Sequence, residues 1–340
     1  MRAPAGRSRL RSPMMEPGDC FVSRYSRTDT LISGTTGRLC VVSDQRNSPK
    51  LADLSVGIVG LGLMGGSLAL GLAGRCRRRI GLDSDPAADR AALEKGAVDE
   101  LALQLPDLVA KSDVIVLAAP VRTILAVLKE LNEIEPPAGG RRIVLDLGST
   151  KSDIVAAMAG LGAGYDPVGG HPICGREVQG IAFADPALYR GAPFALTPLD
   201  RTSPRALAVA RSLAAALAAR PLELTASEHD TLIASTSHLP HLVAVALAQT
   251  ACRLPSASAL VGPGFRDTSR LAASNLEMMT DILLTNRKHV LEALEEYIRR
   301  LQALGQRVSE GDEARLKVLL AEGRRARQEL LESASPDEEK

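Results

Sequence analysis

From residue 54 onward the chain alternates short apolar runs with segments whose apolar positions recur every three to four residues. "LSVGIVGLGLMGGSLALGLAG" carries an apolar strand through Gly60-Leu61-Gly62-Leu63-Met64-Gly65 into an Ala/Leu helix, and "RRIGLDSDP" adds a second strand ending at Asp83. "SDVIVLAAP" (112–120) reads as a buried parallel strand, with Pro120 stopping it. A helix over "ILAVLKEL" follows, then a strand in "RIVLDLGSTK" (142–151), after which Thr150 and Asp153 resemble the N-terminal cap of a helix over 153–161. "GYDPVGGHP" brings the next strand to His171. The stretch "GGHPICGRE" (169–177) is punctuated by Gly and Pro on both sides and is expected to stay out of helix and strand interiors. "APFALTP" and "RPLELT" flank a helix opened by Ser203-Pro204, with proline at its favoured first position. Strands and helices in this alternation predict a doubly wound, Rossmann-type α/β domain.

Strand signals vanish from Ser227 on. "SEHDTLIASTSHLPHLVAVALAQTACRL" has a helical pattern with Pro240 as a break or kink near its middle. A Gly-Pro-Gly loop, two arginines and a long helix follow. There Val290, Leu294, Tyr297, Leu301 and Leu304 fall on one seam at 4-3-4-3 spacing. A tail this helical has little else to cover it, so a homodimer through the helical domain is expected. The predicted organisation is a disordered extension over 1–50, a dinucleotide-binding domain over 52–225, a helical substrate and dimerisation domain over 226–325, and a charged tail over 326–340.

Composition narrows the partners. Lysine plus arginine number 41 and aspartate plus glutamate 40, so no global field attracts nucleic acid or an anionic membrane. The sequence is read as having no stretch apolar and uncharged for long enough to span a bilayer. The five cysteines (20, 40, 76, 174 and 252) are dispersed and suit reduced thiols in the cytoplasm. Residues 1–15 are arginine-rich and acid-poor like a transit peptide, but Glu16, Asp19, Asp29 and Asp44 follow, and Met14 and Met15 offer later starts.

The glycine motif follows a strand, opens a helix and is followed about 20 residues on by an acid, as a dinucleotide site requires. Gly60 makes the tight turn, Gly62 admits the pyrophosphate and Gly65 lets the helix pack on the strand. Asp83 can accept both ribose hydroxyls and repels a 2′-phosphate, so NAD is the expected cofactor. Ser149 and His171 fall at the carboxyl ends of strands, where ligands of such sheets bind. His171 is the expected base. His229 and His289 lie on helices and have no comparable claim, and the His238–His241 pair belongs to the other domain. That pair lacks a third ligand at metal spacing, so no metal is expected. Cys174 reads as a small residue of the turn.

"GLGLMGGSLA", "LGSTK", "GGHPICGRE", "SHLPH" and "GFRDTSRLAAS", in this order, resemble the prephenate dehydrogenase family over residues 54–310. The resemblance implies NAD-dependent oxidative decarboxylation of prephenate to 4-hydroxyphenylpyruvate, on the route to tyrosine, by a homodimer. It assigns the base to His171 and a hydrogen bond to the reacting hydroxyl to Ser149. It gives a carboxylate clamp to Arg270 and the pocket lining to Ser237, His238 and His241, with Glu177 at the entrance. Met279 stands where several members have tryptophan, and Arg176 and Gln179 fill positions that are often smaller. Arogenate is the competing substrate; His241 offers no fixed negative charge for an ammonium, which favours prephenate. Hydroxyacid dehydrogenases of similar organisation use a lysine base, and an NAD-sensing regulator would bind without turnover.

Overall fold

The computed structural model describes residues 50–176 and 178–334. The expectations for the N-terminal extension, for Glu177 and for residues 335–340 lie outside the described residues. Eight strands form one sheet: β1 (Ser55–Val59), β2 (Arg78–Leu82), β3 (Glu100–Leu101), β4 (Val114–Leu117), β5 (Arg142–Asp146), β6 (Tyr165–Pro172), β7 (Pro193–Pro198) and β8 (Arg220–Glu223). Their order is β3-β2-β1-β4-β5-β6-β7-β8. The first six run parallel to their neighbours, β7 is antiparallel to β6, and β8 is parallel to β7.

Alternation within the strands divides the core into two layers. Val56, Ile58, Val114 and Val116 face one side, where Leu68 of helix α1 (Leu63–Gly71), Leu72 just after it, and Val209 and Leu213 of α6 (Pro204–Ala216) cover them. Ile115, Leu117 and Val144 face the other. There they meet α3 (Leu105–Lys111), α4 (Val121–Leu131) and α5 (Ser152–Ala159) through Leu108, Ile124, Leu128, Ile154 and Met158. A further helix, α2 (Pro86–Glu94), follows β2 and is capped by Asp85. As expected, Ser203 caps α6, accepting from the Ala206 amide. The result is the three-layered, doubly wound fold that the sequence predicts.

Two local expectations fail. The segment 169–172 is strand, not turn: β6 overshoots its last register partner on β5 and pairs antiparallel with β7 from Val168↔Pro198 to Pro172↔Phe194. Gly169 and Gly170 permit this crowding, because a Cβ there would strike Thr197 and the Asp146 carbonyl. The α5 terminus is not capped by Thr150 or Asp153. Asp230 reaches in from another element and accepts from the Lys151 and Ser152 amides at 2.7 and 2.8 Å, while Thr150 bonds Thr285 instead.

The remainder is helical: α7 (Ala226–Ile233), α8 (Leu239–Cys252), α9 (Pro263–Ser269), α10 (Leu276–Thr285), α11 (Arg287–Glu310) and α12 (Glu313–Ala334). Thr225 and Glu228 close a capping box at the start of α7. Pro240 breaks nothing. A π-helical turn over Ala234–His238 joins α7 to α8, and Ala226–Cys252 runs as one helix of 27 residues. Its widened turn absorbs the carbonyl that the proline ring cannot pair. This helix is long and apolar enough to cross a membrane by length and composition, contrary to the sequence reading. It nevertheless carries buried His229, Asp230, His238 and His241 on its protein-facing side. Leu232, Leu276, Leu284, Leu291 and Leu301 stay exposed on these helices.

Candidate active site

Where β1 ends, Gly60 adopts φ +94°, and a Cβ there would strike the Ala118 carbonyl. Around Gly62 nothing lies within 4 Å of a Cβ position, leaving the approach to the backbone open. Gly65 packs on the Gly60 carbonyl so closely that no side chain fits. Gly62 leaves the first turn of α1 without a side-chain cap, so its N–H groups and dipole face outward. Leu61 and Leu63 bury their side chains, and the Met64 carbonyl accepts from Tyr189 at 2.7 Å. Asp83 Oδ2 accepts from the Leu61 amide at 2.6 Å and Oδ1 from the Asp85 amide at 2.9 Å, so its carboxylate is fixed beside the loop. Asp89 accepts from the Asp83 amide; burial, with the charges of Asp83 and Asp85, pushes its carboxyl up. An open glycine backbone, an uncapped helix start and a fixed acid together fit a dinucleotide with unmodified ribose.

The second half of the site is a polar cluster that draws in all five histidines of the chain. At the end of β6, His171 Nδ1 lies 2.8 Å from His229 Nε2, with the rings edge to face. His229 Nδ1 lies 2.8 Å from Asp230 Oδ1. The Asn286 amide donates to the Asp230 carbonyl at 2.8 Å and to His238 Nδ1 at 3.2 Å, and its oxygen takes a hydrogen bond from His289 at 2.9 Å. Beneath them Lys151, fully buried, pairs with Asp146 and donates to the Gly170 carbonyl at 2.7 Å. Asp146 also accepts from the Gly148 and Gly170 amides. The buried pair thereby pins the backbone that carries His171.

Burial, then the neighbouring His229, Lys151 and His238, holds the His171 ring well below its usual pKa, so it is neutral and able to accept a proton. Burial likewise pushes His238 down to about 4. Asp230 sits low despite its burial, because His229, Ser152 and Lys151 donate to it. Burial pushes Cys174 up to about 11, which leaves it an inert thiol.

The predicted residues fall unevenly around this cluster. Ser149 is half-buried on the loop after β5, two residues before Lys151. His238 and His241 are buried, and His241 Nδ1 has no hydrogen-bond partner; Ser237 is exposed in the π turn. Arg270 is exposed in a short 3₁₀ turn over Arg270–Ala273, which packs on α8. Met279 is buried in α10. Sequence reasoning missed His229 and Asp230: the first was set aside as a helix histidine, yet it touches His171. The visible signal was an adjacent His-Asp pair one turn into a helix with a capping box. It also missed Lys151, although that residue closes the "GSTK" motif.

The chain resembles known proteins over most of its length. A family model described as the nucleotide-binding domain of prephenate dehydrogenase matches residues 67–223, and one for its dimerization domain matches 225–322. The prephenate dehydrogenase of Bacillus subtilis is 33% identical over 264 residues, 75% of this chain and 70% of that protein. The crystal structure of Synechocystis arogenate dehydrogenase superposes with a TM-score of 0.72 at 33% identity, covering 81% of this chain and 99% of the other. That of the Aquifex aeolicus prephenate dehydrogenase in complex with hydroxyphenyl propionate and NAD+ gives 0.76 at 31%, covering 83% and 100%. With both domain models matched in order, and relatives aligned over most of their length, the chain belongs to the prephenate dehydrogenase family.

Proposed function

We propose that this protein oxidises prephenate with NAD and releases carbon dioxide, giving 4-hydroxyphenylpyruvate for tyrosine synthesis. The observation that carries the reading is a neutral, desolvated His171 at a strand end of a sheet whose neighbouring loop fits NAD. Bound NAD supplies the acceptor for the hydride that leaves the hydroxyl-bearing ring carbon. His171 takes the hydroxyl proton, as a base of low charge cost near neutral pH. Ser149 hydrogen-bonds the same hydroxyl and holds it toward the ring nitrogen. Arg270 grips a substrate carboxylate with its guanidinium fork. His238, His241 and Ser237 line the pocket. Loss of the ring carboxylate aromatises the ring and drives the decarboxylation without further help from the protein.

His241 is buried, and among the described residues no carboxylate hydrogen-bonds its Nδ1, which supports prephenate over arogenate. NADH formation from each substrate at matched concentration tests this: faster turnover of prephenate is expected, and faster turnover of arogenate would reverse the assignment. The exposed leucines of α7, α10 and α11 support a homodimer through the helical region, in keeping with the matched dimerization domain. The seam predicted on α11 is buried at Val290, half-buried at Leu294, Tyr297 and Leu304, and open at Leu301, as a face awaiting a second subunit would be. The three described cysteines are unpaired, which supports a cytoplasmic location.

A further inference from the structure

Asp230 is fully buried, and its carboxylate receives three donors: the amides of Lys151 and Ser152 and the ring of His229. An ionised carboxylate can only accept, so His229 carries its proton on Nδ1 and turns a lone pair outward at Nε2. The opposite tautomer would set two lone pairs against each other at 2.8 Å. His171 Nδ1, 2.8 Å from that lone pair, is therefore the donor of the next bond. Its own lone pair is left on Nε2, on the far side of the ring from His229. One acid thus fixes the direction of two consecutive imidazoles.

We propose that His229 and Asp230 are positioning residues that hold His171 with its lone pair on Nε2 and take over the proton this ring accepts. The inference rests on His171 being the base. In the step, the substrate O–H bond breaks with its electron pair left on oxygen, and the proton bonds to His171 Nε2. The Nδ1–H bond of His171 then breaks as a new N–H forms at His229 Nε2. His229 ends as an imidazolium against the Asp230 carboxylate, and His171 ends neutral. Solvent removes one proton to reset the pair, and no co-reactant is needed. A charge left on His171 faces desolvation together with Lys151 and His238. Moved one ring along, it faces a carboxylate 2.8 Å away. The Lys151 ammonium is paired with Asp146, and Asn286 presents its amide to the Asp230 carbonyl, so neither side chain competes for that acid's carboxylate oxygens.

Imidazole ¹H–¹⁵N NMR of the wild-type protein, free of NAD and substrate, reads the arrangement directly. Both His171 and His229 are expected as Nδ1–H tautomers; an Nε2–H tautomer on either ring overturns the proposal. His229→Gln keeps an acceptor at the same reach but cannot receive a proton. With prephenate its kcat is expected to fall about a hundredfold, at the lower end of what general-base catalysis contributes, with KM and melting temperature held. An unchanged kcat would mean that His229 only packs. Wild-type protein that turns over neither prephenate nor arogenate would sink the proposed function alone, since the NMR result stands without substrate.

Discussion

At the end of β1 the protein meets its ligand with backbone, and at the end of β6 with ring nitrogens. The glycine loop is built from dipoles: N–H groups of a helix start and one acid tethered by the Leu61 and Asp85 amides, all within residues 60–85. Nothing in it must be kept neutral or ionised against burial. The histidine cluster gathers residues 146–151, 170–171, 229–241 and 286–289 into a desolvated space. There burial depresses His171 and His238, and hydrogen-bond donors hold Asp230 low. The first kind of site tolerates changes of side chain and punishes changes of backbone. The second has its chemistry stored in pairs, so removing one member leaves the other stranded.

That contrast is broken most sharply at His171. His171→Asn is expected to lower kcat by roughly 10²- to 10⁴-fold with little change in KM, because the proton moves only in the transition state. A near-normal kcat in steady-state assays would move the base elsewhere in the cluster. Lys151→Met tests the stranding argument without touching substrate. It leaves Asp146 charged and fully buried, a loss of about 3–5 kcal/mol in urea unfolding. A loss within 1 kcal/mol would show that the pair is dispensable.

Acid should also separate the two halves. His238 titrates at about 4 in the fold and near 6.5 in the unfolded chain. Between these values the unfolded state holds the proton and the fold does not, so stability falls as pH drops from about 6.5 toward 4, by about 3 kcal/mol in full. His171, also depressed, adds to the same slope. Unfolding curves at pH 7 and 5 should differ accordingly, and His238→Gln should flatten the difference; an unaltered slope would place the proton elsewhere. The smallest effect belongs to the loop. Asp83→Ser should narrow a preference for NAD over NADP of at least about tenfold, on the order of 1.4 kcal/mol. Equal rates with both cofactors in the wild type would remove Asp83 from that role.

The loop was legible because its physics is local. Gly60 and Gly65 announce their roles by spacing, and Asp83 follows at the end of the next strand. His171 was legible too, being placed by a strand end and by resemblance. What could not be read was anything decided by approach between distant segments. Asp230 caps α5 across 78 residues of chain from Ser152, which no local cap rule foresees. His229 sits on a helix like many a core histidine until β6 arrives beside it. The extension of β6 depended on a partner, β7, that lets two glycines and a proline serve as strand.

The π turn at Ala234–His238 sets a different kind of constraint. In an unbroken α-helix, positions 229 and 238 would lie about half a turn apart, yet both rings are buried in the cluster around Asp230 and Asn286. The extra residue of the widened turn is what reconciles them. Along this segment the widened turn absorbs one residue and keeps the helix in phase on either side. Ser235 and Thr236 are exposed and open to exchange. Deleting one of them would let the helix return to regular pitch with His238 still on the side of His229, whereas inserting one would carry His238 and His241 about 100° round its axis, away from the strand end that holds His171.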